Sequence, residues 1–131
     1  MTRKEAREAM ATLLATISTF AATYDREPPD FGGLSPVGMV QSNGTRPGPA
    51  RTLGVYQREH ELIVSLWWRW GSATEDEMDT LSDAVWDLIE SNSGPTATWG
   101  SIEAEEGFSQ MGYPLIDGIQ YRVEAIRVRV W

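Results

Sequence analysis

The sequence predicts an α+β fold: one mostly antiparallel sheet with two amphipathic helices packed on one of its faces. Two segments carry apolar residues at three- and four-residue spacing, and several others alternate every second residue. The elements run helix, long arm, strand, strand, helix, strand, strand, an order that suits two layers around one core. At 131 residues the chain reads as a single domain over 1–131, since a length near 150 predicts roughly one core.

The first helix is expected over residues 3–23, with Ala6, Met10, Leu13, Leu14, Ile17, Ala21 and Tyr24 on one stripe. Thr2 and Glu5 have the spacing of a capping box, and Pro28 and Pro29 end any helix before them. From about 25 to 51 runs an extended arm rich in proline and glycine, within which Val37 to Gln41, before Asn43-Gly44, has the look of a short strand and turn. Two strands follow, TLGVYQ and ELIVSLWWRW, with a turn expected at Arg58 to His60. In the second, Leu62, Val64, Leu66, Trp68 and Trp70 form an apolar face, while Ile63 and Trp67 leave the other face too apolar for plain exposure.

The second helix is expected over 75–91, opened by a capping box at Thr74 and Glu77 and closed near Ser91 to Pro95. TWGSIEAE (98–105) reads as a strand, 106–118 as a loop and 119–131 as the last strand. In that strand Ile119, Tyr121, Val123 and Ala125 hold odd positions, and Ile126, Val128 and Val130 hold even ones. The change of parity predicts a β-bulge at Ala125-Ile126.

Charge and composition narrow the function. The net charge is -8, and from Glu59 to Glu106 there are 12 acidic residues against a single arginine, Arg69. That pattern opposes tight binding to a phosphate backbone, which draws its affinity from basic side chains. With no cysteine there is no disulfide, thiolate metal site or thiol nucleophile, and the chain suits a reducing compartment. No apolar run approaches the roughly 18 residues of a membrane span.

Candidate chemistry is sparse. His60, between Glu59 and Glu61, reads as a solvated turn histidine, because a general base needs an orienting partner and a reacting group within reach. Glu103, Glu105 and Glu106 offer oxygen ligands, but charge is also what an edge strand carries to prevent stray pairing. No catalytic residue, cofactor or metal is expected. The second helix carries an acidic stripe, Asp76, Asp79, Asp83, Asp87 and Glu90, with no basic residue to relieve it. It is either a solvated face or a surface for a basic partner.

Three stretches together, TRKEAREAMATLLATI, ELIVSLWWRWG running into EDEMDTLSDAVWDLIES, and the closing IDGIQYRVEAIRVRVW, resemble the tail-terminator, or head-to-tail joining, proteins of long-tailed phages. The resemblance implies a structural virion protein without catalytic residues, made in the host cytoplasm and placed at the head–tail junction. It implies a self-assembled ring, expected to be a hexamer, that caps the tail tube, ends its growth and joins it to the neck. The implied partners are other copies of the chain, the tail-tube protein and a neck or head-completion protein, with DNA passing through the lumen without specific binding and no membrane. Trp67, Phe108, Met111, Tyr113 and Trp131 supply surplus apolar surface for subunit contacts. The competing readings are a tail-tube or neck-closure subunit, an acidic protein-binding module, and a small enzyme using His60.

Overall fold

The computed structural model describes residues 1–52, 55–110 and 115–131. In chain order they form α1 (Arg3–Leu14), β1 (Ala22–Tyr24), β2 (Val37–Thr52), β3 (Val55–Arg69), α2 (Glu75–Ser91), β4 (Ile102–Gln110), β5 (Leu115–Ile116) and β6 (Ile119–Val130). The sheet order is β1-β2-β3-β6-β4, with β5 pairing β6. Among the described residues only β1 pairs in parallel, with β2. The fold is therefore the expected α+β class, with both helices on one face of a mostly antiparallel sheet.

The pairing of β3 with β6 sets the geometry. It runs without a break from His60↔Val130 to Arg69↔Tyr121, so even-numbered residues of both strands share one face and odd-numbered residues the other. Leu62, Val64, Leu66, Trp68, Ile126, Val128 and Val130 turn inward and are buried with Met10 and Leu14 of α1 and Leu81, Val85 and Ile89 of α2. Both helices open with the predicted capping boxes, at Thr2/Glu5 and Thr74/Glu77.

The bulge expected at Ala125-Ile126 is absent, because the β3–β6 register is continuous through those residues. What changes partway along β6 is the cover. Over its first half the outer face is apolar, with Tyr121 and Val123 buried, while inward-facing Arg122 pairs with Glu75 and Glu124 accepts a hydrogen bond from Ser82 Oγ at 2.6 Å. Over its second half the helices cover the inner face, and Arg127 and Arg129 hold the outer one. The irregularities lie in the flanking strands instead. Between Ser42 and Thr45 β2 gains one residue against β3, and between Ala104 and Glu106 β4 gains one, Glu105, against β6.

Other expectations also need correction. Helix α1 ends at Leu14 rather than near 23; the Thr16 hydroxyl bonds to the Leu13 carbonyl at 2.7 Å and the chain turns, although Ile17 and Phe20 still pack on the core and so prolong the helical stripe. The arm is two structures: a strap, 25–36, and the long strand β2, in which Asn43-Gly44 marks a bulge and not a turn. Gly44 adopts φ 122°, a value that suits glycine there. β3 continues straight through Arg58 to His60, so no turn lies there. β4 begins at Ile102 and takes in residues assigned to a loop, and Asp117 and Gly118, both at positive φ, make the two-residue turn from β5 to β6.

Phe31 is the one buried side chain of the strap. It lies against Trp67 and Tyr121 edge-on, at centroid distances of 5.1 and 5.3 Å, and stacks with Tyr24 at 5.9 Å. The strap thus closes one end of the outer face. Phe31→Ala should cost about 3–5 kcal/mol by urea denaturation, the usual range for a buried aromatic truncated to alanine; a loss below about 1 kcal/mol would contradict this role.

Candidate functional site

At the other end of the outer face lies a lattice of three arginines and five glutamates from four strands. The sheet register builds it: Arg46 sits opposite Glu59, Glu61 opposite Arg129, Glu103 opposite Arg129, and Glu106 opposite Arg127. The β2 bulge is required for this. Without the extra residue Arg46 would fall opposite Arg58 and point toward the helices; with it, Arg46 joins Glu59 on the outer face.

Glu105, the extra residue of the β4 bulge, reaches all three cations: Arg129 Nε at 2.7 Å, Arg46 Nη2 at 3.7 Å and Arg127 Nη2 at 3.8 Å. Arg127 also binds Glu61 at 2.7 Å and Glu106 at 2.8 Å, and Arg129 binds Glu103 at 2.9 Å and Glu59 at 3.3 Å. Glu59 is only 3% exposed, and it pairs with both Arg46 and Arg129. Hydrogen bonds donated by Arg127 to Glu106 and then to Glu61 raise the Arg127 pKa, and the bond to Glu103 does the most to raise that of Arg129. A single exposed ion pair contributes about 0–1 kcal/mol, but breaking a network anchored on a buried carboxylate costs more, because removing a partner strands a charge.

His60 is buried in β3 rather than solvated in a turn. Its Nδ1 lies 2.9 Å from Thr45 Oγ1 and its Nε2 3.3 Å from the Met1 carbonyl, so the neutral ring that accepts from Thr45 and donates to Met1 satisfies both partners. Burial is the main cause lowering its pKa below 6.5, and the positive N-terminus, Arg3 and Arg58 act in the same direction.

The expected contact residues separate. Trp67 packs under the strap, with Nε1 donating to Ser65 Oγ at 2.8 Å. Phe108 projects from edge strand β4 and is 49% exposed. Trp131 is held by its own chain: its carbonyl accepts from the Gly100 and Ser101 amides at 2.8 Å each, and Arg129 lies over its ring at 5.4 Å. Met111 and Tyr113 lie outside the described residues. Asp76, Asp79, Asp83, Asp87 and Glu90 are all exposed on α2, about one helix turn apart. Sequence reasoning missed the lattice, although its signal was present in Glu59-x-Glu61, Glu103-x-Glu105 and Arg127-x-Arg129, each spaced to put two charges on one strand face.

No family model matches the sequence, and no curated protein matches it. Among solved structures the chain is similar to one from the virion of a native gene transfer agent particle, with a TM-score of 0.50 and 16% identity, over 92% of this chain and 83% of that one. What the two share is the fold. Among the described residues no helix is long and apolar enough to cross a membrane.

Two outcomes follow from the geometry. Glu105→Gln should lower the urea midpoint more than Glu90→Gln does, and in about 1 M salt, where the screening length is about 3 Å, the gap should narrow; equal effects at low salt would refute the hub role. A lowered histidine pKa in the fold means that the unfolded chain binds the proton more readily. His60 therefore favours folding above about pH 6.5, and its contribution is lost as pH falls through that value toward the lower folded one. His60→Gln should flatten stability between about pH 7 and 5; an unchanged slope in the variant would refute this.

Proposed function

We propose that the protein is a structural component of a virion, and within that class a ring-forming tail terminator that caps a tail tube and joins it to the neck. The observation that carries the reading is the fold shared with a virion chain over 92% of this sequence. The resemblance of the opening helix, the aromatic strand with its acidic helix, and the closing strand to tail terminators supports the finer role. The role is assembly rather than catalysis: both ring nitrogens of the only histidine are engaged within the fold, and each arginine of the lattice is already paired with two or more of its glutamates. A ring of identical chains joins two different surfaces of each subunit, and the acidic face of α2 is one exposed surface available for such a contact, with the Phe108 edge left free for another neighbour. The partners in this reading are further copies of the chain, the tube protein and a neck protein. DNA passes the acidic surfaces without being held.

The reading is tested by mixing the purified chain with its tail-tube protein and following particle size by light scattering and negative-stain imaging. Closed rings at tube ends and tubes of limited length are expected. A chain that stays monomeric and leaves tube length unchanged would overturn it, and open filaments of the chain alone would point to a tube subunit.

A further inference from the structure

The β2–β3 hairpin outruns the rest of the sheet. β6 stops pairing at His60↔Val130 and β4 begins, with Ile102, against the same residue of β6, yet β2 and β3 stay paired through Arg46↔Glu59, Pro47↔Arg58, Arg51↔Tyr56 and Thr52↔Val55. Five residues at about 3.4 Å each carry the ribbon roughly 17 Å beyond the last three-stranded pairing. Helix α1 begins beside His60, through the Met1 carbonyl, and runs back along the body. A two-stranded ribbon is marginal in water by itself, so a long projecting one calls for a partner.

Chemistry indicates which partner. Residues 47–58, beyond the lattice arginine Arg46, hold two arginines and no acid, whereas residues 75–91 hold seven acids and no base. Arg58 is exposed on the ribbon, and Asp83 and Asp87 are exposed on α2. The β2 edge of the ribbon is not suited to adding strands, because Pro47 and Pro49 lack amide donors and a register shift lies between Pro47 and Arg51. Contacts along that edge are made through side chains.

We propose that the β2–β3 ribbon of one copy docks on the acidic face of α2 in the next copy. The contact is heterologous, joining two different surfaces, and repeats around a closed ring. It also explains why α2 keeps a run of like charges at helical spacing, which lowers the stability of the isolated helix. The inference rests on the ring reading and supplies its subunit contact.

Three variants test it, each first checked for a native urea transition: Arg58→Glu, Asp83→Lys with Asp87→Lys, and all three together. Assembly of each on tail-tube protein is followed by light scattering across a salt series. Each separate reversal should raise the concentration needed for half assembly by about tenfold or more, and the combined variant should recover most of the loss. General repulsion between acidic subunits predicts something else: the aspartate reversals would improve assembly, because they remove negative charge. That result would overturn the proposal, as would wild-type assembly in the separate variants or no recovery in the combined one. If wild-type rings form and only the charge pattern fails, the terminator reading survives without this contact. If the wild-type chain never assembles, both fall.

Discussion

The ten-pair ladder between β3 and β6 is the constraint on which the rest of the structure depends. A strand places successive side chains on opposite faces, so a register without slips assigns each residue of both strands to the helices or to the outer face. Once that assignment is fixed, the neighbouring strands must adapt to it. They do so by bulging: β2 gains a residue before Thr45, which sends Thr45 to His60 and Arg46 to Glu59, and β4 gains Glu105. The ion lattice is a consequence of these two adjustments. Glu105 reaches three arginines because a bulge residue is released from the regular ladder.

The same constraint explains why both faces of the sheet are covered although both helices lie on one of them. The outer face is divided lengthwise between two solutions to the cost of exposure. At one end the strap lowers Phe31 onto Trp67 and Tyr121, removing aromatic surface from water. At the other, charges pair with one another and Glu59 is buried with two guanidinium partners. Burial without hydrogen bonding to a charged partner raises the pKa of Tyr121 in the first region, while carboxylate bonds raise those of Arg127 and Arg129 in the second.

Much of this was legible in the sequence, and the misses have definite causes. The fold class, both capping boxes, the acidic helix and the inward face of β3 follow from periodicity and spacing, which are local properties; Trp70, expected on that face, lies beyond the strand and is exposed. Arg58 to His60 was misread as a turn because three polar residues in a row suggest solvent; the partners of Glu59 and His60, namely Arg46, Arg129 and Thr45, are distant in sequence and become neighbours only through the sheet. Asn43-Gly44 was misread for a related reason, since a glycine at positive φ serves a turn and a bulge equally well. The parity change in β6 was seen correctly as a pattern and explained wrongly. A change of cover and a change of register leave the same mark on a sequence, and only the pairing partner distinguishes them.

The central claim is therefore the unslipped β3–β6 register, and it is tested most directly by cross-strand nuclear Overhauser contacts in solution. The account predicts one uninterrupted series of opposed backbone protons, with Val64 facing Ile126, Ser65 facing Ala125 and Leu66 facing Glu124. A shift of one residue in that series between Ala125 and Ile126 would contradict it.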